Sequence, residues 1–320
     1  MPELLPGWAS GLVQGIFLMV AAPMTPGLLT FCAAMCQGRR RLLITVLQPY
    51  RDLAQLCCQR SVRAQTSSWL FAAVPTVLLV AYGSLLFAVP WLEDRPLLRI
   101  DLITVLYLMA LARFTVSLAG LDTAAPFGAL GSSREMFLHL QAELGMALFI
   151  VAIALNRGIL DLADLSAAQK QLGDHLWFKP DLVLLAVALA AISLYEAGRI
   201  PVDNPTTELE LTMAHEAIAG EYAGRDLALI RWANAMRLTF LLILFTALFP
   251  LPTRLLGELL GRDVAEPIRL GQLIVLIVLL ALWEATRPKL RLRKVYGPLL
   301  LSVLFSMTAI LYGLATGAGS

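Results

Sequence analysis

Eight apolar stretches constrain this sequence more than any other feature, because each is long enough to cross or nearly cross a lipid bilayer. They lie at Trp8–Met35, Trp69–Trp91, Arg99–Leu121, Met136–Asn156, Asp181–Glu196, Leu238–Leu251, Leu270–Ala285 and Val295–Leu314. A hydrocarbon core of about 30 Å takes roughly 20 apolar residues in a helix. Hydrophobic residues make up 58% of the chain, and the mean hydropathy is +0.74. The sequence therefore predicts an all-α, polytopic membrane protein with about eight transmembrane helices.

The distribution of Lys and Arg predicts how these helices are oriented. Loops after the first, third, fifth and seventh stretches hold sixteen of these residues, whereas the opposite loops hold eight. Cytoplasmic loops are enriched in Lys and Arg. We therefore expect residues 36–68 and 197–234 to be cytoplasmic loops of a single domain over residues 1–320, with both termini outside. No Lys or Arg precedes the first stretch, so we expect it to be kept rather than cleaved as a signal peptide.

The most polar part of the chain is Tyr195–Trp232, in a sequence where only 15% of residues are charged. It holds seven carboxylates: Glu196, Asp203, Glu208, Glu210, Glu216, Glu221 and Asp226. Asn204-Pro205 favours a helix start, since Asn caps a helix and Pro has no amide to lose. We thus expect a helix within an acidic cytoplasmic loop.

Two of these carboxylates, Glu210 and Glu221, fall in the apolar sector of that helix, provided that Gly220 does not end it first. Burial would raise their pKa values and let them carry protons at neutral pH. Glu208 and Glu216 fall on the polar side. The alternative is an ordinary surface helix with solvated glutamates.

Four charged residues lie inside the apolar stretches, where charge is costly and marks function. Arg113, Glu143, Glu196 and Glu284 all fall in the cytoplasmic half of their helices. Their similar depth predicts a polar cavity that opens towards the acidic loop. We expect Arg113 to pair with a carboxylate of a neighbouring helix, with Glu143 the first choice and Glu196 the second. The alternative is a purely structural salt-bridge cluster.

The first cytoplasmic loop is basic and then apolar, and Pro49 is placed to start a short helix. Such a helix would lie along the membrane surface, where one face could dip into the interface or receive a soluble partner. The alternative is a basic loop that only fixes the topology. Candidate docking residues are Arg39, Arg40, Gln48, Pro49, Tyr50, Arg51 and Asp52, together with Pro205 of the acidic loop.

The cysteines and histidines do not form a metal-binding pattern. The four cysteines lie in two pairs, Cys32 with Cys36 and Cys57 with Cys58, and neither pair has an iron–sulfur or zinc spacing. The three histidines are scattered. We therefore expect no metal and no cofactor bound by this chain, and membrane lipid but no nucleic acid among its partners.

Three separated motifs resemble the subunit 1 family of proton-pumping NADH:quinone oxidoreductase (complex I). They are the acidic-loop run EAGRIPVDNP with ELELTMAHEAIAGEYAG and DLALIRWA, the segment LQPYRDL at Leu47–Leu53, and SSREM at Ser132–Met136. The sequence PVDNP is similar to the corresponding motif of the hydrogenase branch, whereas complex I members have PFDLP there. That branch holds the membrane anchors of group 4 [NiFe] hydrogenases of the formate hydrogenlyase and hydrogenase-4 type. Relatives continue the first arginine run with Gly-Pro, where this chain has Arg41-Leu42.

This resemblance implies a non-catalytic membrane anchor and proton-coupling subunit of an oxidoreductase complex in a prokaryotic cytoplasmic membrane. The implied partners are a large subunit with the [NiFe] centre, a small subunit with a [4Fe–4S] cluster, an iron–sulfur electron-transfer subunit and antiporter-like membrane subunits. Candidate proton-transfer residues are Glu135, Glu143, Glu196, Asp203, Glu208, Glu210, Glu216, Glu221 and Glu284, with Arg113, Arg199 and Arg225 as charge partners.

Two other functions stay open. A true complex I subunit would use the cavity for a quinone headgroup. The PVDNP motif and its longer spacing to the Glu-Tyr pair argue against this function. A stand-alone cation transporter would carry ionisable groups near the bilayer midplane and repeated halves. The sequence has no internal repeat and no lysine within the apolar stretches.

Overall fold

The computed structural model describes residues 7–39, 43–91, 96–164, 180–199, 215–249, 265–286 and 292–316. These residues form eleven α-helices and a 3-10 helix over Leu43–Leu47. The α-helices are α1 Gly7–Ala21, α2 Met24–Cys36, α3 Gln48–Cys58, α4 Trp69–Ala88, α5 Leu102–Asp122, α6 Pro126–Arg157, α7 Pro180–Glu196, α8 His215–Ala219, α9 Gly224–Leu248, α10 Ala265–Thr286 and α11 Leu292–Thr316. The all-α prediction is confirmed.

Membrane spans follow the apolar stretches. In the described part of the chain six helices are long and apolar enough to cross a bilayer, namely α4, α5, α6, α9, α10 and α11. The bent pair α1 and α2 is apolar enough when taken together, and counted as one span it gives a seventh. Helix α7 has 17 residues and is about 26 Å long, close to the thickness of a hydrocarbon core. These elements agree with the expected eight helices, and the chain is a multi-pass membrane protein.

The first predicted span is broken rather than continuous. Helices α1 and α2 meet at an angle of 43° around Ala22 and Pro23. Proline has no amide hydrogen, so Pro23 and Pro26 leave carbonyl groups of the preceding turn without their usual donors. Inside a membrane such groups need partners from elsewhere in the protein.

Side chains of other helices supply these donors. Trp232 Nε1 donates to the Met19 carbonyl at 3.0 Å, and Tyr50 Oη donates to the Val20 carbonyl at 2.7 Å. The Ala22 carbonyl accepts from the Thr25 amide at 3.1 Å and lies 3.4 Å from Thr239 Oγ1. Trp232 and Thr239 lie on α9, and Tyr50 lies on α3. The break therefore joins the first span to α3 and to the centre of the bundle.

Two other spans begin earlier than their apolar stretches indicate. Helix α6 starts at Pro126, ten residues before the predicted Met136, and α9 starts at Gly224, fourteen residues before the predicted Leu238. Polar and charged residues lower the hydropathy of these first turns. Several of them are buried against other helices instead of facing water, including Ser132, Glu135 and Arg237.

The bundle is built around α9, which packs on α2, α3, α4, α7 and α10, and around α6, which packs on α5, α7, α8 and α11. Buried apolar side chains from α1, α4, α5, α6, α7, α9 and α11 form one continuous core. We call the end of the bundle where α3 and α8 lie the loop end. Arg157, at the last turn of α6, and Asp181, in the first turn of α7, mark the far end and form a buried pair at 3.4 Å.

The expected short helix after the first span is present as α3, with Pro49 in its first turn. Contacts hold it and the following loop against the start of α9. Arg63 makes two hydrogen bonds to the Asp226 carboxylate at 2.8 and 3.2 Å, Arg225 Nε donates to the Cys57 carbonyl at 3.2 Å, and the Tyr222 ring stacks on Phe71 with centroids 3.9 Å apart. The two loops predicted to face one side of the membrane are thus joined to each other.

Candidate functional site

A buried guanidinium lies at the centre of the candidate site. Arg113 is on α5, nine residues before that helix ends, and is 3% exposed. Its Nε donates to Glu196 Oε2 at 2.8 Å, its Nη1 to Glu135 Oε1 at 3.0 Å and its Nη2 to the Glu196 carbonyl at 2.9 Å. One arginine therefore binds two carboxylates from two other helices, α6 and α7.

The local fold explains this arrangement. Glu196 is the last residue of α7, and the final carbonyls of a helix have no partner within it. The Arg113 guanidinium supplies one such partner and places positive charge at a helix C-terminus, where it is favoured. The chain then turns at Gly198, whose φ of +59° lies in the left-handed region that glycine tolerates.

A second buried arginine lies at the same end of the bundle. Arg237 is on α9 and is 3% exposed. Its guanidinium lies 5.8 Å from the centroid of the buried Tyr82 ring of α4. The Arg113 guanidinium similarly lies 4.6 Å from the centroid of the Tyr195 ring. Each cation thus lies over the face of an aromatic ring, which is favourable when both are desolvated. We call Arg113, Glu135, Glu196, Arg237 and the two tyrosines the charge cluster.

Hydroxyl groups extend the charge cluster along α5 and α6. Ser117 lies one turn after Arg113, and Ser132 lies one turn before Glu135; both are fully buried. Within the described ranges the hydroxyls of Ser117, Ser132 and Tyr195 have no hydrogen-bond partner. Buried hydroxyls of this kind are the groups that ordered water molecules bond in protein interiors.

Glu143 is not the partner of Arg113, so the first choice of partner was wrong and the second, Glu196, is found. Glu143 Oε1 lies 2.9 Å from Nε2 of His139, one turn earlier on the same helix. Glu135 and Glu143 are eight residues apart, which separates their directions on α6 by about 80°. That rotation points Glu135 at Arg113 and leaves Glu143 at the edge of the bundle.

A second pair joins the end of α7 to the end of α10. Arg199 Nε lies 3.8 Å from Glu284 Oε1, and both side chains are largely buried. Burial lowers the pKa of Arg199, and the nearby Glu284 carboxylate opposes this effect. Of the four charges expected at similar depth, Arg113 and Glu196 bond directly, Glu143 contacts His139, and Glu284 contacts Arg199.

The acidic loop is described from His215 onwards. Helix α8 ends at Ala219, so Gly220 does end the helix before Glu221, and the placement of Glu221 on its apolar face was wrong. The Glu221 side chain instead packs near Gly128 at the start of α6 and is half-buried. Glu216 lies on α8 and is half-buried. The predicted residues Asp203, Pro205, Glu208 and Glu210 lie outside the described residues.

The predicted docking residues lie at the loop end, apart from Arg40 and Pro205, which are outside the described residues. Arg39, Gln48 and Arg51 are exposed, whereas Pro49, Tyr50 and Asp52 are half-buried. Arg225, predicted as a charge partner of the carboxylates, is exposed and bonds the Cys57 carbonyl instead. In the described part of the chain no group of three His, Cys, Asp or Glu residues is placed to hold a metal ion.

Three members of the site were missed in the sequence. Arg237 was counted as a loop charge, because the apolar stretch was taken to begin one residue later. Tyr82 was read as an ordinary apolar residue of its helix, and Tyr195 was named only as the start of the polar stretch. In the structure the helix Gly224–Leu248 is continuous and places Arg237 well inside the span.

A helical, multi-pass membrane protein with a buried charge cluster at one end is the class that this geometry defines. A family model described as NADH dehydrogenase matches residues 11–315. The chain therefore belongs to the NADH dehydrogenase family, as the sequence motifs predicted.

Individual relatives refine this assignment. Formate hydrogenlyase subunit 4 of Escherichia coli (strain K12) is 31% identical over 292 residues, covering 88% of this chain and 90% of that protein. Hydrogenase-4 component C of the same strain is 32% identical over 241 residues, covering 74% of each. A solved structure of the membrane-bound sulfane sulfur reductase, an archaeal respiratory membrane complex, contains a chain with the same fold. The two chains superpose with a TM-score of 0.75 at 17% identity, and the match covers 94% of this chain and 99% of that one.

Proposed function

We propose that this chain is the membrane anchor and proton-coupling subunit of a membrane-bound [NiFe] hydrogenase complex of the formate hydrogenlyase or hydrogenase-4 type. The observation that carries the proposal is the charge cluster, in which Arg113 bonds both Glu135 and Glu196 inside the bundle. The similarity to formate hydrogenlyase subunit 4 along most of both chains supports the hydrogenase assignment.

Two carboxylates around one guanidinium suit proton transfer better than a simple ion pair. Arg113 bonds both carboxylates, so one of them can exchange a proton while the other stays hydrogen-bonded to the guanidinium. Arg237 lies in the same cluster, so the cluster has two guanidiniums for its two carboxylates. The hydroxyls of Ser117, Ser132 and Tyr195 provide further hydrogen-bonding positions beside it.

The loop end is the surface through which the soluble arm would act. In this proposal it faces the cytoplasm, as the excess of Lys and Arg in its loops favours. The acidic loop connects α7, which ends at Glu196, with α9, which carries Arg237. A soluble subunit that moved this loop would move two members of the charge cluster. The chain itself would be non-catalytic, with the [NiFe] centre and the [4Fe–4S] clusters in the large, small and electron-transfer subunits and with antiporter-like subunits beside it in the membrane.

The experiment is purification of the tagged chain in a mild detergent from membranes of its native host, followed by metal analysis and mass spectrometry. We expect nickel and iron to co-purify together with hydrogenase large and small subunits. Bound quinone without nickel would favour the complex I alternative. A preparation that contains this chain alone, under conditions where a known membrane complex of the host stays intact, would contradict the proposal and favour a stand-alone transporter.

A further inference from the structure

Glu143 lies inside the membrane but at the outer surface of the helix bundle. Its side chain is 34% exposed, whereas those of Glu135 and Glu196 are 7% and 6% exposed. Fourteen residues separate it from Arg157 at the far end of α6, which corresponds to about 21 Å along the helix. A hydrocarbon core is about 30 Å thick, so Glu143 lies within it.

The surface beside Glu143 is an apolar stripe along α6. Leu130, Leu140, Leu144, Val151 and Leu155 recur at helical spacing, and all are exposed although α6 packs on four other helices. Leu140 and Leu144, the residues nearest to Glu143 in the stripe, are 68% and 55% exposed. A carboxylate at the edge of a stripe that is otherwise apolar is not suited to contact with lipid chains.

Nε2 of His139 lies 2.9 Å from one oxygen of the Glu143 carboxylate. The other side of the group faces outwards. A second copy of this chain would not complement it, because a symmetric contact through this stripe brings Glu143 of one copy close to Glu143 of the other. A helix from a different membrane protein can instead present a cation or a strong hydrogen-bond donor at this depth, with small or apolar residues against the leucines.

We propose that the α6 stripe is the docking surface for a transmembrane helix of a different membrane subunit, which places a Lys, Arg or His side chain against Glu143. This inference rests on the proposed function, which places other membrane subunits beside this chain. It adds which face of the bundle those membrane subunits cover and which kind of side chain on them binds that face.

The test uses the assembled complex in native membranes. A photoreactive phenylalanine analogue replaces Leu140 or Leu144, and similarly exposed apolar positions on other helices, Leu279 of α10 and Leu304 of α11, serve as matched controls. We expect the α6 positions to crosslink to one membrane subunit, identified by mass spectrometry. Glu143→Gln keeps the shape but removes the charge, so it should lower that crosslink about tenfold. Any crosslink at the control positions should not change.

Three results would overturn the inference: crosslinks to lipid only, crosslinks to a second copy of this chain, or a protein crosslink that Glu143→Gln leaves unchanged. The same preparations report on the proposed function separately. If hydrogenase subunits are present but the α6 positions crosslink only to lipid, this inference alone is contradicted. A membrane-subunit crosslink in a sample without hydrogenase subunits would contradict the proposed function alone.

Discussion

The stability of the charge cluster depends on Arg113, and Arg113→Met tests this dependence. Methionine fills a similar volume but removes three hydrogen bonds and leaves the Glu135 and Glu196 carboxylates buried without their cation. Removing one partner of a buried pair costs about 3–5 kcal/mol. With an unfolding entropy of about 2.1 cal/mol/K per residue, a chain of 320 residues loses about 1.5 °C in melting temperature per kcal/mol, so we expect a loss of about 4–8 °C.

The assay is thermal unfolding of the purified protein in a mild detergent, followed by fluorescence-detected size-exclusion chromatography. Two further variants make the result specific. Arg51→Met, at an exposed position of α3, should melt like the wild type. Arg113→Met combined with Glu135→Gln and Glu196→Gln should recover part of the loss, because the two carboxylate charges are no longer buried without Arg113, whereas the buried Arg237 cation remains. If Arg113→Met melts like the wild type, or if the triple variant is no more stable than the single one, the ion-pair reasoning is wrong.

Three further predictions concern other parts of the molecule. Trp232→Phe removes the donor to the Met19 carbonyl at the break in the first span and should cost about 1–3 kcal/mol in the same thermal assay, whereas Trp69→Phe, at a residue 80% exposed, should cost little. Cysteine labelling at Gln55, after the native cysteines are replaced, should be slower in the assembled complex than in the isolated chain; equal rates would contradict docking at α3. Glu210→Gln should leave assembly intact while slowing coupled hydrogen evolution, and wild-type rates in both hydrogen evolution and proton movement would rule out a relay role for this residue.

The spans could be predicted from the sequence because hydropathy over a membrane-sized window depends on composition alone. The ends of the spans could not be predicted where polar residues at those ends are buried by neighbouring helices. Ser132 and Glu135 lower the hydropathy at the start of α6 although both are inside the protein. The break at Pro23 has the same origin, since its cost is offset by donors on α3 and α9 that local sequence does not reveal.

The members of the site were predicted better than their pairing. Depth follows from residue number along a helix, so Arg113, Glu196 and Glu143 were placed at the correct end of the bundle. Direction depends on the rotation of each helix about its axis, which tertiary packing sets. The rotation of α6 places Glu135, and not the predicted Glu143, against Arg113. Arg237 was missed for a related reason, because one charge at the edge of an apolar stretch looks the same whether it is buried or solvated.

The central claim is that the charge cluster couples the soluble arm to proton movement, and Glu196→Gln tests it most directly. Inverted membrane vesicles carrying this variant would be assayed for hydrogen evolution and for the accompanying proton movement, with subunit content checked by immunoblot. The matched control is Asp181→Asn, a buried carboxylate of the same helix at its far end. We predict that Glu196→Gln assembles normally but moves fewer protons per hydrogen molecule, while Asp181→Asn keeps the wild-type ratio. An unchanged ratio in fully assembled Glu196→Gln vesicles would contradict the claim.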